Sequence, residues 1–445
     1  MKVSKFISAI AVSVIICSPG NADDLSVQEE LKLLREQISV QKAAIRQLEL
    51  RLDKQQSDQN RLLQGSYHQE KEETPIITLN KHINNLTIKG DLRLRYEKRD
   101  VDEKERDRFR TRLRIGMNWK SDDENFEVGV GIATGGSEAT STNDTHSSDS
   151  PFESGDLRVD YAYAKHTWDS IDFTIGQMKN PFVTSQFLWD SDVRPVGIVV
   201  AYNAPDLKKY KVEGFFLAAG AFDFAYAPDD DLDNESVLAA AQLGLGFEAD
   251  NLNGIVATSA YIYDNDASKA NTFDDNTEPA DDIDYKYQII DAIAKTRMKL
   301  SGDVELDLFG HIAMNIGTDS GDASIMNDIY TGEAYGIDED ADDNNIAYAL
   351  GAKFTLEKLY FGAEYRYVEA DAVNSWVSGS DFGSGTATGL NSTTNIEGIV
   401  AKVGYKFNNN VSLQLTAMFY DEIENVTNDD NDDGSLYQFD LKYKF

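Results

Sequence analysis

Apolar side chains follow two different periods along the chain. In the first part they recur with a 3-4 spacing, at Val27, Leu31, Leu34, Ile38, Ile45, Leu48, Leu52 and Leu62. Gln41, Gln55 and Gln59 fill the remaining core positions of the same heptad frame. The pattern predicts a coiled coil over residues 25–64, with one long helix packed on the body of the protein as the alternative. Mixed Ile and Leu core positions favour a trimer over a strict dimer.

After residues 65–82, predicted to be a polar linker, the period changes to two. In residues 86–97 apolar and polar side chains alternate, so one face is apolar and the other is polar and charged. Residues 107–120 repeat the pattern, with Phe109, Leu113 and Ile115 on one side and four arginines on the other. Such alternation predicts β-strands, but alone it does not separate a sandwich from a barrel.

The number and spacing of these segments favour a barrel. About sixteen candidate strands lie near residues 86–98, 107–120, 125–134, 156–168, 171–179, 195–203, 209–222, 236–248, 252–264, 285–299, 302–316, 345–356, 358–369, 396–407, 410–422 and 435–445. The connections between them are predicted to alternate strictly between long and short, which is typical of an up-and-down outer-membrane barrel with periplasmic turns and extracellular loops. We therefore predict an all-β, antiparallel transmembrane β-barrel over residues 83–445, with both ends on the periplasmic side.

The N-terminus predicts export. Lys2 and Lys5 precede an apolar run that ends at Cys17, and small residues follow up to Ala22, so residues 1–22 are predicted to be a signal peptide. The run is short for a membrane anchor, and Ile16 disfavours a lipidated cysteine. No long apolar stretch follows, and the mean hydropathy is −0.44, which excludes a helical membrane protein. We predict a protein of the bacterial outer membrane whose coiled coil lies in the periplasm.

The last candidate strand alternates Tyr437, Phe439, Leu441, Tyr443 and Phe445 with polar residues. Outer-membrane barrels commonly end in this way. Tyr443 and Phe445 are therefore the predicted signal for the barrel assembly machinery, which is an expected partner together with outer-membrane lipid.

The polar face of each strand predicts the lining of a water-filled lumen. A charge facing lipid at mid-membrane costs about 2–4 kcal/mol, so the charged faces are expected to point inward. The predicted pore-lining residues are Arg93, Arg95, Arg108, Arg110, Arg112, Arg114, Arg158, Asp160, Lys295, Arg297, Glu305, Asp307, Glu364 and Arg366. Either the arginines form the positive half of a transverse field at a constriction, or they only pair with lumenal carboxylates such as Asp91, Glu97 and Asp160.

The connection between the fifth and sixth strands, NPFVTSQFLWDSDVRP, is too apolar for a loop standing in water. Folding inward would cover Phe187 and Trp189 and bring Asp190 and Asp192 toward the lumen, as a constriction loop. Sealing a contact between subunits is the alternative.

Net charge bears on selectivity and partners. The chain carries a formal net charge of −35, and predicted external loops are densely acidic at residues 229–235, 338–343 and 429–433. An acidic mouth concentrates cations over roughly a Debye length, about 8 Å at physiological salt, so we predict a weak cation preference. Nucleic acid is not an expected partner. Residues 429–440 fail as an EF-hand, although loose Ca²⁺ or Mg²⁺ binding stays open; no metal site is predicted.

Two other classes of function remain as alternatives. An outer-membrane hydrolase usually needs histidine in an acid-base cluster, but only two of the five histidines lie in predicted strands, and neither of these two has a recognisable Ser, Asp or Asn motif beside it. A barrel-anchored coiled-coil tether or adhesin would not need sixteen strands, since eight already close a filled barrel. A pore is therefore favoured.

Residues 86–225 resemble the bacterial putative porin family, whose members join an N-terminal coiled coil to an outer-membrane barrel. The matching segments are GDLRLRYEKRD, RDRFRTRLRIG, VGIATGG, GQMKNPF, LWDSDVRPVG and GFFLAAGAF, in this order. The resemblance implies passive diffusion of small hydrophilic solutes and ions, with no catalysis and no cofactor. The stalk is expected to trimerise the chain, with peptidoglycan contact left open.

Overall fold

A computed structural model of the protein describes residues 77–78, 85–101, 104–146, 155–204, 212–225, 236–264, 287–318, 323–327, 334–383, 393–424 and 433–445. The predicted signal peptide, the coiled coil, most of the linker and much of the acidic loops lie outside these residues. Among the residues described, no helix is both long and apolar enough to cross a membrane.

Sixteen long strands follow one another along the chain. They are β1 Leu86–Val101, β2 Lys104–Lys120, β3 Phe126–Thr134, β4 Leu157–Trp168, β5 Ile171–Gln177, β6 Val196–Asn203, β7 Val212–Ala225, β8 Ser236–Ala249, β9 Leu252–Tyr263, β10 Gln288–Ser301, β11 Val304–Asn315, β12 Ile346–Leu356, β13 Leu359–Val368, β14 Ile396–Lys406, β15 Val411–Glu422 and β16 Asp433–Lys444. The strands lie close to their predicted positions, although β7 is displaced toward the C-terminus from the predicted 209–222.

Each strand pairs antiparallel with the next, and β16 pairs with β1 from Asp91↔Lys444 to Val101↔Gly434. The prediction of a closed antiparallel barrel of sixteen strands is therefore confirmed. Short strands extend the wall locally: Ile77–Thr78, within the predicted linker, pairs with β1, and Asp144–His146 pairs with β2 beyond the end of β3. Ala323–Asn327 and Ala334–Asp340 form a separate hairpin, followed by a 3₁₀ turn at Ala341–Asp343.

Many apolar side chains of the strands point away from the barrel interior. Phe109, Leu157 and Trp168 are 64%, 66% and 73% exposed, whereas Arg95 and Glu97 on the opposite faces are buried. Apolar residues outside and charged residues inside are the arrangement that a lipid bilayer stabilises around a barrel.

Tight turns lie at the barrel end where the backbone of Phe445 pairs with Gly90. Asp169, Asp250 and Glu357 have φ of 52°, 36° and 52° in turns between adjacent strands, and such left-handed positions suit the two-residue hairpin turns that match strand twist. The expectation of a strict alternation between long and short connections is wrong at the first hairpin. Only residues 102–103 join β1 to β2, because both strands continue well beyond their neighbours.

The wall is low at β5 and β6, which have 7 and 8 residues. Residues 178–195, which connect β5 to β6, do not extend these strands but fold into the barrel interior. We call residues 178–195 the first inner loop.

Candidate functional site

Six arginines of β1 and β2 face the barrel interior and form what we call the arginine wall. They are Arg93, Arg95, Arg108, Arg110, Arg112 and Arg114, all in the predicted pore-lining set. Arg93, Arg95 and Arg110 are buried, while their neighbours Leu94 and Phe109 are exposed on the outer face. Alternation along a strand turns successive side chains to opposite faces, which explains why every second residue is charged.

Carboxylates from the same strands meet most of these arginines. Asp91 accepts hydrogen bonds from Arg112 Nη2 at 2.7 Å and Arg114 Nε at 2.8 Å. Glu97 pairs with Arg108 and lies 3.5 Å from Arg110 Nη1. Asp160, the third predicted partner, instead pairs with Arg194, at 3.1 Å between Nε and Oδ1.

Asp440 of the closing strand binds the arginine wall at two points. Its carboxylate accepts hydrogen bonds from Arg95 Nε at 2.6 Å and Nη2 at 3.0 Å. Both side chains are almost fully buried. A two-point guanidinium–carboxylate contact is strong and directional, so this pair fixes Arg95 across the seam of the barrel.

The first inner loop packs its apolar side chains on the inner wall across from the arginines. Phe187 packs on His311 in a tilted arrangement with 4.6 Å between ring centroids, and Phe182 meets Tyr261 edge-on at 5.8 Å. Trp189 is 3% exposed and lies beside Tyr261. The apolar part of the loop is therefore covered by the barrel's own interior and not by a second subunit.

Polar contacts attach the same loop to the wall. Gln242 of β8 exchanges two hydrogen bonds of 2.8 Å with the backbone of Val183. Ser185 Oγ lies 2.7 Å from His311 Nδ1, and His311 Nε2 lies 3.1 Å from Asp291 Oδ2. Both attachments join the loop to strands, so its position is set by the barrel frame.

Ser185, His311 and Asp291 stand in the order of a hydrolase triad, which the sequence did not reveal because the three are far apart in the chain. The imidazole is buried beneath Phe187, both its nitrogens are engaged, and Ser185 Oγ is directed at the ring. In a hydrolase triad the serine bonds the Nε2 atom of the histidine and the aspartate bonds the Nδ1 atom, so the two ring nitrogens have exchanged partners here. We interpret the three residues as an attachment of the loop.

Asp190 and Asp192 lie at the end of the loop nearest the arginine wall. Asp192 Oδ1 accepts a hydrogen bond from Arg114 Nη1 at 3.3 Å, and its Oδ2 accepts one from Thr142 Oγ1 at 2.8 Å. Burial tends to raise the pKa of Asp192, but Arg112, Arg114 and Arg194 together lower it. Burial, and then the charge of Asp192, raise the pKa of Asp190 well above its usual value. Asp192 is therefore the more strongly ionised of the pair.

A second loop, missed in the sequence, also folds inside the barrel. Residues 369–383 follow β13 and lead toward β14, and we call them the second inner loop. The side chains of Asp371, Val373 and Asn374 in this loop are fully buried. The backbone of Gly379 donates to Gln186 O at 2.7 Å, and Asp190 N donates to the carbonyl oxygen of Val377 at 2.6 Å. The two inner loops therefore support each other.

Asp381 of the second inner loop faces the arginine wall. Its carboxylate lies 3.3 Å from Arg95 Nη1 and 3.9 Å from Arg110 Nη1. The side chain is 43% exposed, although it stands among buried arginines. Asp381 is thus a third acidic group across from the wall, beside Asp190 and Asp192.

The other predicted pore-lining residues are distributed around the interior. On β4, Arg158 donates to Gly136 O at 2.9 Å, and Asp160 borders a cavity of about 450 Å³ that Asp192 and Arg194 also line. On β10 and β11, Arg297 pairs with Asp307 at 2.6 Å and lies 4.0 Å from Glu305. Three further residues of the predicted pore-lining set also have partners. Lys295 donates to Thr184 O at 2.8 Å, and Glu364 pairs with Arg366.

The C-terminal residues complete the seam. Phe445 exchanges backbone hydrogen bonds of 2.8 and 2.9 Å with Gly90, and Tyr443 is exposed on the outer face. A Cβ at Gly90 would lie 2.4 Å from Phe445 Cζ, so glycine is required for this close approach. The role of Tyr443 and Phe445 in assembly stays a prediction.

Comparisons with known proteins agree with this fold. Residues 100–286 match the model of the putative porin family, which confirms the resemblance. The high-pH structure of Pseudomonas putida OprB is 12% identical, with 81% of this chain and 94% of that chain covered and a TM-score of 0.50. Salmonella typhi OmpF in complex with daunomycin is 13% identical, with 83% and 100% covered and a TM-score of 0.48. No curated protein matches the chain.

The family match and the closed barrel define the class of protein. The match over residues 100–286 and the closed barrel support an outer-membrane β-barrel of the porin type with a general porin role.

Proposed function

We propose that the protein is a passive pore for small hydrophilic solutes and ions, and that the solute path runs between the arginine wall and the two inner loops. The observation that carries this proposal is the exposure of charged side chains deep inside the barrel. The side chains of Asp381, Arg114 and Lys442 are 43%, 26% and 24% exposed. Water-accessible charge at that depth is expected of a hydrated path and not of a filled anchor.

The proposed constriction has charge of both signs. Cations line β1 and β2, and Asp190, Asp192 and Asp381 lie across from them on the inner loops. Opposite charges on two facing sides of a lumen create a transverse field that orients dipolar solutes and selects among ions. The predicted acidic mouth adds a weak preference for cations before solutes reach the constriction.

Several parts of the proposal concern assembly. The coiled coil predicted at residues 25–64 is proposed to join three chains in the periplasm, where contact with peptidoglycan stays open. Residues Tyr443 and Phe445 are proposed to be read by the barrel assembly machinery. Cross-linking of the intact chain, compared with a chain lacking residues 25–64, tests whether the stalk sets the oligomer number.

Single-channel recording in planar bilayers tests the constriction. We expect the wild-type chain to conduct KCl, and Asp192→Asn with Asp381→Asn to shift the reversal potential in asymmetric KCl toward anion selectivity, with the cation/anion permeability ratio falling about two- to tenfold. Glu105→Gln on the external hairpin removes one carboxylate charge from a side chain that is 62% exposed, and is the control outside the constriction.

Each outcome has a distinct meaning. No KCl current from correctly folded wild-type protein contradicts the pore. A current with an unchanged reversal potential in the double variant, or an equal shift in Glu105→Gln, removes the two acids from the constriction.

A further inference from the structure

Three cations stand side by side on adjacent strands of the arginine wall. Arg93 of β1 is directly opposite Lys442 of β16 on one side and directly opposite Arg112 of β2 on the other. We call Lys442, Arg93 and Arg112 the basic row. Like charges at directly opposite positions of antiparallel strands are destabilising, so this register needs a compensating interaction.

In the neighbouring rows the positive charges are compensated by carboxylates. One step along the strands, Asp91 stands between Lys444 and Arg114, and in the other direction Arg95 stands between Asp440 and Arg110. In both rows a carboxylate is directly opposite an arginine or lysine. The basic row contains no acid.

The nearby carboxylates are already shared. Asp91 accepts from Arg114 as well as from Arg112. Asp440 is bound at two points by Arg95 and lies 3.7 Å from Lys442. Within the described part of the chain, Arg93 forms no ion pair; its guanidinium contacts the side-chain oxygen of Asn143.

Unused donors mark the same place. Arg93 is 8% exposed, and the buried Nε atoms of Arg93 and Arg112 have no hydrogen-bond partner among the residues that the structure describes. A buried guanidinium with an unsatisfied donor is costly unless something accepts from it. Lys442, with 24% of its side chain exposed, keeps the row open to the lumen.

From this register we infer that the basic row is a binding site for the oxyanion group of a permeating solute, a carboxylate or a phosphate. Guanidinium groups hold both kinds of oxyanion through paired hydrogen bonds, and a lysine adds a mobile positive charge. This inference rests on the proposed pore, and it names the chemical class of solute that the pore retains briefly on its path. Because the mouth is predicted to be acidic, such a site is expected to act on affinity inside the lumen more than on the sign of the total current.

The test is block of the KCl current through the full-length protein in planar bilayers, with succinate as the carboxylate probe and inorganic phosphate as the other. We expect either probe, or both, to block at millimolar concentration. Arg93→Gln and Lys442→Gln should each raise the half-blocking concentration about tenfold or more, as expected for the loss of a charge-assisted hydrogen bond. Arg297→Gln, on β10 and paired with Asp307, is the matched control and should block like the wild type.

The outcomes separate the two proposals. Block by succinate alone or phosphate alone identifies the oxyanion and supports the site. Absence of block by both probes, equal block in Arg93→Gln and wild type, or an equal loss in Arg297→Gln overturns it, while a normal KCl current in the same experiment leaves the pore intact. A wild-type chain without KCl current contradicts the proposed function itself. Because both variants remove a like charge from a crowded row, they are expected to fold, and the gel mobility of the folded barrel verifies this.

Discussion

The two sides of the lumen are built on different chemistry. On one side, β16, β1 and β2 present charges held by short ion pairs, such as Arg95 with Asp440. On the other side, β7 to β11 present Phe222, Tyr261 and His311, on which the first inner loop rests. Apolar burial is non-directional, whereas ion pairs depend on geometry. The apolar wall therefore anchors the first inner loop, and the charged wall contacts the acidic end of that loop.

The largest effect is expected on the charged side, from Arg95→Gln. Removing this guanidinium leaves Asp440 and Glu97 buried with one partner fewer, and breaking a buried pair from one side costs about 3–5 kcal/mol. We expect a clear loss of stability in urea unfolding, followed by the gel mobility of the folded barrel. Arg93→Gln, two residues away but without an ion pair among the described residues, should be neutral or stabilising. Equal destabilisation by the two variants contradicts our distinction between paired and unpaired arginines.

A smaller effect is expected on the apolar side, from Trp189→Ala. This side chain is 3% exposed, and truncating a buried tryptophan costs about 3–5 kcal/mol, at the lower end here because the space opens toward a hydrated lumen. We expect the loop to loosen, with higher and noisier single-channel conductance, while the barrel stays folded. Trp168→Ala removes a tryptophan that is 73% exposed on the outer face and serves as control. Unchanged conductance in Trp189→Ala would mean that the loop is held by its polar attachments alone.

The same contrast explains how far sequence reasoning reached. A two-residue period reports both faces of every strand, so the barrel and the inward direction of Arg108 to Arg114 followed from local pattern. The sequence predicts the first inner loop because apolar side chains such as Phe187 and Trp189 are unfavourable when exposed to water. The second inner loop carries a similar signal at Ala372, Val373 and Val377, but its length also fits one of the long external connections that the strand pattern predicts.

Other features needed the closed structure. The basic row depends on the register between β16 and β1, and a slip of one residue would place different partners beside Arg93. Register across the seam is set by the whole barrel and not by either strand. For the same reason, the contacts of Asp381 with Arg95 and of Ser185 with His311 join residues that are far apart in the sequence.

The smallest expected effect is a pH dependence at Lys179, which lies between the two sides. Burial, and then the charges of Arg194 and Arg114, lower the pKa of this amine to about 8, and its Nζ lies 5.2 Å from the ring centre of Tyr161. The group is mostly charged at pH 7 and mostly neutral at pH 9, so the lumen loses positive charge as pH rises. We expect the cation/anion permeability ratio to increase about two- to fourfold over this interval, from a Coulomb interaction of under about 1 kcal/mol across a hydrated path. Lys179→Met should therefore remove this step of the pH profile. A profile that is unchanged in Lys179→Met would show that this lysine does not face the solute path.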